Sequence, residues 1–562
     1  MARSGDDLIT EGVEEVVSAF RGGWRVIRHQ GPSKVQFWFL ALLVGSAAGA
    51  AALFFRKAIS ALQTTFYGTD DLHRLHSLAE SLPWWWILIL PIAGGLVVGL
   101  ILHHFTPDAR VRSVADVIEG AALRNGRVET RAGIASAFAS LITLSTGGSS
   151  GREGPVVHMA GVMSTWVSDR IRADGITGRD LLGCAVAGAV SASFNAPIAG
   201  ALFALEVVLR HFAVHAFAPI TIAAVAGTVI NRLEYGGVTQ YVLPEPGTLV
   251  FYVELPAFLL LGLVSGLVAV AFMRGIFLAE NLAGRFMAWT GWPRWMRPTI
   301  AGFLLGAIAI WFPHIIGVGY ETTTLALIGA LAWYEAATLA AVKCVAVAIT
   351  LGGRMGGGAF SPSLMVGALV GLSFGYVATG IFPNVSGSET LYALAGMGAV
   401  AAAVLGAPIS TTMIVFEMTG DWQTGLAVMT AVSLSTALAS RMVDRSFFLT
   451  QLENRGIHLA AGPQIYLPEM FRISSVMLTL SHPKAPSDTV LKDLMSRGFA
   501  VDRQATLADA MEVFDDAETA YLPVTAVDRQ SKTVQLVGVV FHVDVLKANI
   551  RALSATAAEE HS

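Results

Sequence analysis

The chain has 562 residues, of which 54% are hydrophobic and only 14% are charged. A soluble protein of this length would carry about 25% charged residues. The deficit lies in long uninterrupted stretches, which is the pattern that a lipid bilayer requires. The net charge of −4 gives no indication of a nucleic-acid partner, and the two cysteines lie in apolar surroundings that imply no disulfide framework.

Six apolar runs contain no Asp, Glu, Lys or Arg. They are Val35–Phe55, Pro83–Leu102, Leu255–Met273, Thr299–Tyr320, Leu391–Phe416 and Trp422–Ser440. Each is near or above the length of about 20 residues that a helix needs to cross the hydrocarbon layer. The buried helices of a soluble core do not supply so many runs of this kind. The sequence therefore predicts an all-α polytopic membrane protein.

The charges that flank the apolar region predict its orientation. Arg21, Arg25, Arg28 and Lys34 precede or adjoin the first apolar run and favour a cytoplasmic N-terminus. That run is too long for a signal-peptide core, so we expect no cleavable signal. After Arg455 the composition becomes that of a soluble protein. We expect a multi-pass protein of a prokaryotic inner (plasma) membrane with both termini in the cytoplasm.

The same changes in composition predict the domain organisation. The expected parts are a cytoplasmic N-terminal segment (1–33), a transmembrane domain (34–456) with halves at about 35–235 and 250–445, a linker (457–487), a small α+β domain (488–549) and a tail (550–562).

The membrane region contains an internal repeat. The segment 142–155 recurs at 349–362, with an offset of 207 residues at each matched position (349 − 142, 358 − 151, 362 − 155). The segment 197–206, which runs from a proline to a glutamate, is echoed by 408–417. Paired halves whose apolar helices are broken at matching places are typical of transporters with pseudo-symmetric inverted repeats. Their binding site lies near the membrane midplane, where the broken helices meet.

The residues at the breaks predict an anion site. In 145–155, glycines and small hydroxyl residues precede Pro155, and proline is favoured in the first turn of a helix. A helix that begins there would point free N–H groups and about half a positive charge into the membrane interior. Such a helix end binds anions without a basic side chain. The second copy, 356–362, offers a matching set of amides from the other half.

Glu153 is a carboxylate beside this predicted helix end. One interpretation is structural, since the carboxylate can cap the helix or pair with Arg152. The other is functional, because intramembrane acids are functional candidates by default. In that interpretation the carboxylate competes with the transported anion for the same amides, and its protonation or displacement opens the path.

Three segments together resemble the motifs of the CLC family of chloride channels and transporters. Gly151–Pro155 matches the family's G-R/K-E-G-P motif, Gly358–Pro362 matches G-x-F-x-P, and Phe194–Gly200 is similar to F-N-A-P-x-A-G. The order and spacing of these motifs fit over about 35–456, roughly three quarters of the chain.

The resemblance implies a homodimer in a lipid bilayer, with one pathway per subunit for chloride or another small anion. It also implies that Glu153 is the gate and that the amides of Ala359 and Phe360 contact the anion. The other motif residues that it places at the anion path or at the helix ends are Gly151, Arg152, Gly154, Pro155, Gly358 and Pro362.

Two departures from the family pattern concern the anion path. The family's G-S-G-I-P-E loop is degenerate here, and one register places Arg112 at the serine position, whereas a shift by one residue places Ser113 there. Arg112 either adds positive charge to the path or is a solvated arginine at its cytoplasmic mouth. Phe448 occupies the position of the family's tyrosine. The hydroxyl donor to the central anion is then absent, and we expect weaker anion binding there.

The third departure concerns protons. In family exchangers two glutamates follow the F-N-A-P segment, whereas here the pair reads Glu206-Val207 and Val207 stands at the inner proton-transfer position. A valine cannot relay protons. We therefore expect a glutamate-gated passive channel, with a proton-coupled chloride antiporter that uses another inner proton route as the alternative. We expect no enzyme, because the histidines His158, His211 and His215 are scattered and no nucleophile–base pair or phosphate loop is evident.

The C-terminal region reads as a small α+β unit. A helix is predicted after an N-cap at Thr506. Strands are predicted at 521–528 and 534–541, with a polar turn at Arg529–Lys532 and a helix from about Val543. The unit resembles a cystathionine-β-synthase-type (CBS) domain, a class that acts in pairs and often binds adenine nucleotides. One clear copy is visible, so a pair would need the second subunit. The other interpretation is a dimerisation or stability module without a ligand.

Overall fold

The computed structural model describes residues 33–68, 74–212, 214–237, 241, 251–383, 386, 388–459, 471–527 and 534–561. Almost all of the predicted N-terminal segment 1–33 and the predicted turn Arg529–Lys532 lie outside the described residues. The chain divides into two compact units. The larger contains most of the chain up to Ile457, and the smaller consists chiefly of His458–Ser562.

The larger unit is built from helices. Its first half contains α1 (Lys34–Tyr67), α2 (Leu75–Ala79), α3 (Trp84–Phe105), α4 (Val114–Leu123), α5 (Thr130–Ser145), α6 (Glu153–Ile171), α7 (Gly175–Phe194), α8 (Pro197–Phe203), which continues as a π-helical turn (Ala204–Leu209), and α9 (Val214–Tyr235).

The second half repeats this alternation of long and short helices. It contains α10 (Phe251–Thr290), α11 (Arg297–Ala309), α12 (Tyr320–Leu327), α13 (Trp333–Gly352), α14 (Phe360–Ile381), α15 (Glu389–Leu405), α16 (Pro408–Thr419), α17 (Trp422–Met442) and α18 (Phe447–Glu453). Helices α5 and α13 end 207 residues apart, and α6 and α14 begin 207 residues apart (352 − 145, 360 − 153). The repeat in the sequence is therefore a repeat of helix ends.

Seven of the described helical segments are long and apolar enough to cross a membrane. They lie in α1, α3, α9, α10, α13, α14 and the segment Trp422–Glu453. The predicted all-α polytopic fold is confirmed, and the chain is a multi-pass integral membrane protein.

Two of the six charge-free runs do not form single helices. The run Thr299–Tyr320 is divided because α11 ends at Ala309 and a 3-10 turn follows at Pro313–Ile315. The run Leu391–Phe416 is broken at Gly406, whose φ of 67° ends α15 in a left-handed cap. Both divisions place a helix end inside an apolar stretch, which charge counting does not detect.

Helix α13 is long and apolar enough to cross the membrane although it carries a charged residue, Lys343, in its middle. This side chain is fully buried, and its ammonium donates hydrogen bonds to the carbonyl oxygens of Ile315 (3.1 Å) and Gly317 (3.0 Å). These carbonyls follow the break in the preceding apolar run. The lysine is tolerated there because it satisfies backbone groups that the break leaves without helical partners.

Small residues allow close helix contacts in the first half. A Cβ atom on Gly188 of α7 would lie 2.7 Å from the Cα of Gly45 in α1, and one on Gly227 of α9 would overlap the carbonyl oxygen of Gly188. Helices in membranes associate through such contacts, because lipid tails provide no hydrophobic drive between them. The crossing of α1, α7 and α9 therefore requires these glycines.

The smaller unit contains a three-stranded sheet in the order β1 (Val501–Asp502), β2 (Tyr521–Val527) and β3 (Val534–Phe541). Strand β1 is parallel to β2, and β2 is antiparallel to β3 with a bulge at Val524/Thr525. The helices are α19 (Asp488–Ser496), α20 (Leu507–Ala517) and α21 (His542–His561). Thr506 caps α20 in a capping box with Asp509, as expected for this N-cap.

Candidate functional site

Two glycine-rich loops pair with each other inside the larger unit. The amide of Gly151 donates to the carbonyl of Gly358 at 2.7 Å, and the amide of Gly358 donates back to Gly151 at 2.7 Å. Gly357 has a φ of 122°, and a Cβ there would overlap the hydroxyl of Ser150; a Cβ on Gly358 would be crowded, at 3.1 Å from the amide nitrogen of Gly154. The loops therefore hold the two helix ends that follow them at a fixed separation.

Two threonine hydroxyls also connect the two halves in a reciprocal way. Thr350 accepts a hydrogen bond from the amide of Ser149 at 3.1 Å, and Thr143 accepts one from the amide of Gly356 at 2.9 Å. Each donor and each acceptor in this pair of bonds differs from its counterpart by 207 residues (356 − 149, 350 − 143). The two halves thus contact each other about a local pseudo-two-fold axis at the loops.

Both loops lead into helices whose N-termini receive no side-chain cap. Helix α6 follows Arg152 and α14 follows Ala359, and neither N-cap side chain accepts a hydrogen bond from its helix. Pro155 and Pro362 lie in the first turns, as the sequence predicts. The first amides of both helices and their dipoles are therefore available to an anion.

Glu153, the first residue of α6, is buried, with 2% of its surface exposed. Its Oε1 accepts a hydrogen bond from the Ser361 hydroxyl at 2.6 Å. Its Oε2 has no hydrogen-bond partner within the described part of the chain. The Nε of Arg152 lies 3.9 Å from Oε1, which is too far for a hydrogen bond. Ser361 was missed by the sequence reasoning, although it lies in the second motif between Phe360 and Pro362.

A cavity of about 780 Å³ has Glu153 on its wall. Of the residues that the sequence singles out, those on its wall are Ser113, Glu153, Gly154, Gly358, Ala359, Phe360 and Phe448. Gly151, Arg152, Arg112 and Val207 do not line it. The cavity therefore connects Glu153 with the N-terminus of α14 and with the loop before α4.

Arg112 is held away from this cavity by carboxylates. Its Nη1 binds Asp108 at 2.9 Å, its Nη2 lies 2.8 Å from Glu129, and its side chain is buried. Its amide donates to the Ser136 hydroxyl at 2.8 Å. Neither interpretation of Arg112 given above fits, because it is neither on the cavity wall nor solvated. Of the two residues that the sequence offers for the serine position, Ser113 is the one that lines the cavity.

Arg110 replaces Arg112 as the cationic residue of the loop at the cavity. It binds Asp116 at 2.9 Å, and Arg455 binds the same carboxylate at 3.0 Å. Burial alone would raise the pKa of Asp116, but these two guanidinium groups lower it to about 2. The amide of Ser113 also donates to Asp116 at 2.7 Å. Asp116 therefore ties Ser113, Arg110 and Arg455 together at the cavity wall.

The charge on the cavity wall is predominantly positive. The arginines on it are Arg110, Arg285, Arg297, Arg354 and Arg455, against the carboxylates Asp108, Glu153 and Glu280. This excess attracts anions and raises their local concentration. The sequence did not reveal it, since the five arginines come from five separate helices and loops.

Aromatic rings line part of the same cavity. The ring of Phe360 packs against Phe194 at 4.8 Å and stacks on Phe203 at 5.9 Å between ring centroids. Phe448 is buried, and its ring lies 5.7 Å from that of Phe447. No tyrosine is among the described residues that line the large cavity. The side chains of Phe360 and Phe448 therefore offer an anion no hydroxyl group, only ring edges.

Val207 lies in the π-helical turn after α8 and is buried. Its neighbour Glu206 accepts hydrogen bonds from the amides of Ile409 (3.0 Å) and Ser410 (2.7 Å), at the N-terminus of α16. Glu417 does the same for α8, accepting from Ile198 (3.0 Å) and Ala199 (2.7 Å). The two glutamates of the second repeat pair are thus reciprocal helix caps.

Comparisons with known proteins agree with this geometry. The family model "Voltage gated chloride channel" matches residues 94–440. A ClcB-like protein of Ralstonia nicotianae is 31% identical over 396 residues, which cover 70% of this chain and 91% of that protein. The H(+)/Cl(-) exchange transporter ClcA of Vibrio cholerae is 30% identical over 431 residues, which cover 74% of this chain and 89% of that protein.

Solved structures share the fold. A slow cyanobacterial Cl-/H+ antiporter matches with a TM-score of 0.66 and 19% identity, covering 75% of this chain and 97% of its own. A eukaryotic CLC transporter matches with a TM-score of 0.63 and 18% identity, covering 90% of this chain and 97% of its own.

Paired loops, two uncapped helix ends and a positively charged cavity define a membrane protein that transports anions. Within that class, the family match over residues 94–440 and the 30–31% identity to curated relatives show the family. The chain belongs to the voltage-gated chloride channel (CLC) family.

Proposed function

We propose that this chain exchanges chloride for protons across the membrane and that Glu153 carries the proton on one side of the cycle. The observation that carries the proposal is the position of Glu153 on the wall of the large cavity, beside two uncapped helix ends, with one carboxylate oxygen unpartnered among the described residues. A relative at 30% identity is named an H(+)/Cl(-) exchange transporter, which favours the exchanger alternative over the expected channel.

The chemistry follows from competition for the same positive potential. The ionised carboxylate of Glu153 occupies the end of α6, so an anion that approaches from the cavity is repelled. Protonation removes that charge and weakens the attraction of the carboxyl to the helix end. An anion then takes its place at the amides of Ala359 and Phe360, and the proton moves with the side chain. Ser361 positions the carboxylate through its 2.6 Å hydrogen bond.

The experiment is anion efflux from liposomes that contain the purified protein, with proton and chloride fluxes recorded together. An exchanger moves protons uphill when a chloride gradient is imposed, and Glu153→Gln abolishes the proton flux. Chloride efflux without proton movement in the wild-type protein would contradict the proposal.

A passive channel is the second candidate. It is supported by the buried Val207 at the position of the inner proton glutamate. The capping role of Glu206 adds to this, since both carboxylate oxygens already accept backbone hydrogen bonds. An exchanger must then deliver protons to Glu153 by another route, and the cavity itself is wide enough to hold water.

Three further features belong to the proposal through the family resemblance. They are a homodimeric assembly, a prokaryotic inner-membrane location with cytoplasmic termini, and a CBS-type regulatory role for the smaller unit. The sheet order and the Thr506 cap are compatible with such a domain. Titration of the full-length protein with ATP tests nucleotide binding, and the absence of binding would favour a module without a ligand.

A further inference from the structure

A second, smaller cavity is lined by Arg152, the neighbour of Glu153 in the chain, and is separate from the large one. Its volume is about 20 Å³, enough for one small occupant. Its polar lining consists of Arg56, Gln63, His76, Arg152, Tyr320 and Glu321, with His314 and Thr322 beside them. The two cavities share no lining residue, but Arg152 lines the small one and Glu153 the large one. The consecutive residues Arg152 and Glu153 therefore separate them.

Arg152 is incompletely satisfied in this position. It is 4% exposed, and its Nη2 donates to the carbonyl of Ser193 at 3.0 Å. Its Nε has no hydrogen-bond partner in the described part of the chain, and the closest carboxylate oxygen, on Glu153, is 3.9 Å away. Its guanidinium carbon lies 5.6 Å from the centre of the Tyr320 ring. A buried guanidinium N–H without an acceptor is costly, which points to a missing partner.

Arg56 brings a second positive charge to the same cavity. It is half-buried in α1, with its guanidinium carbon 3.9 Å from the centre of the Tyr235 ring. No carboxylate among the described residues pairs with it, and it is close enough to Arg152 for the two charges to repel each other. Two like charges in a confined site are unfavourable unless a counter-ion lies between them.

The carboxylate of Glu321 does not supply that counter-ion. It accepts a hydrogen bond from the amide of His76 at 2.9 Å, and it lies 3.0 Å from the Nδ1 of His76. The amide and hydroxyl of Ser77 also donate to it, and the ring of His314 stacks on His76 at 4.2 Å. Glu321 lines the same cavity, but its carboxylate is engaged by α2. Within the described part of the chain, neither Arg56 nor Arg152 has a carboxylate oxygen within hydrogen-bond distance, since the Oε1 of Glu153 lies 3.9 Å from the Nε of Arg152.

We propose that Arg56 and Arg152 bind a single halide ion in the small cavity, as an anion site beyond Glu153. The size of the cavity admits a monatomic anion, and the unpartnered Nε of Arg152 supplies a charge-assisted donor to it. Binding follows from the arginine pair alone. That this site is a step in transport rests on the proposed function, in which the side chain of Glu153 moves and lets the anion pass between the two cavities.

The test is anomalous diffraction from crystals of the full-length protein soaked in bromide. The wild-type protein is expected to show a bromide peak between the two guanidinium groups. Arg56→Gln is expected to lose that peak and to keep bromide in the large cavity, and Arg56→Lys to retain a weaker peak. The matched control is Lys57→Gln, which removes an adjacent exposed cation that pairs with Glu234 and is expected to leave the peak unchanged.

Flux provides a second readout. Arg56→Gln is expected to raise the chloride concentration for half-maximal flux by roughly fivefold, without changing proton coupling. A wild-type crystal with bromide in the large cavity and none at the arginines would overturn the proposal, as would a peak that survives Arg56→Gln. Failure of the proposed function looks different, because it would leave the arginine peak in place while Glu153→Gln failed to affect proton flux.

Discussion

The reciprocal caps formed by Glu206 and Glu417 lead to a quantitative prediction. Each carboxylate accepts two backbone hydrogen bonds, at 3.0 and 2.7 Å, from the first turn of a helix in the opposite half. Glu206→Gln and Glu417→Gln each keep one oxygen acceptor but place an amide group against the second N–H. We expect each variant to lose one charge-assisted hydrogen bond and part of the favourable interaction with the helix dipole.

The magnitude can be worked from these contacts. A hydrogen bond to a charged group contributes about 1.5–3 kcal/mol, and a carboxylate at a helix N-terminus adds about 0.3–1 kcal/mol. Both glutamates are half-buried, so the lower end of each range applies. We therefore expect a loss of about 2 kcal/mol in the free energy of unfolding for each variant. The two losses should be nearly equal, since the distances are the same in both caps.

The assay is unfolding of the purified protein in mixed micelles by titration with SDS, followed by circular dichroism. Glu234→Gln is the control, because it removes an exposed carboxylate whose ion pair with Lys57 contributes at most about 1 kcal/mol. A Glu206→Gln protein with unchanged stability but without proton flux would refute this reasoning. It would identify Glu206 as a proton-transfer group rather than a cap.

Three further predictions follow from single residues. Gly357→Ala should cost about 2–4 kcal/mol or prevent folding, because the φ of Gly357 is 122° and a Cβ would overlap the Ser150 hydroxyl. The control is Gly380→Ala, where a Cβ meets nothing and the unfolding midpoint should be unchanged or raised; equal midpoints for the two variants would contradict the argument. Asp116 has a pKa of about 2 when folded, below its ordinary value of 3.8, so its stabilisation is complete above about pH 4 and is lost as pH falls through 2. Asp116→Asn should therefore lower the free energy of unfolding by about 2 kcal/mol at pH 7, and a pH-independent difference from wild type would contradict this account. Phe448→Tyr places a hydroxyl on the cavity wall and should tighten chloride binding by about 1 kcal/mol in calorimetric titration, whereas unchanged affinity would mean that the ring does not face the anion.

Much of the fold could be predicted from the sequence, because charge-free runs and repeated motifs can be read from it directly. Charge-free runs mark spans, and the 207-residue offset marks helix ends that recur in the two halves. The same signals failed where a helix end lies inside an apolar run, as at Gly406, and where a charge lies inside a span, as at Lys343. In both cases backbone groups from distant segments decide the structure, and no local pattern encodes them.

The candidate site was predictable only at its motifs. Glu153, Ala359 and Phe360 follow from the glycine and proline pattern. The hydroxyl of Ser361, which binds Glu153 from 208 residues away, does not. The surroundings of Arg112 were not predictable for the same reason, since its partners Asp108 and Glu129 are brought to it only by the fold.

The coupling of proton movement to chloride movement is tested most directly by a reversal potential. It is measured for the current through the reconstituted protein, at equal chloride concentrations and unequal pH on the two sides of the membrane. A proton-coupled exchanger gives a non-zero reversal potential set by the pH gradient, and we predict this result for the wild-type protein. We predict that Glu153→Gln returns the reversal potential to zero while chloride still passes. A wild-type reversal potential of zero would contradict coupling through Glu153 and would establish the passive channel in its place.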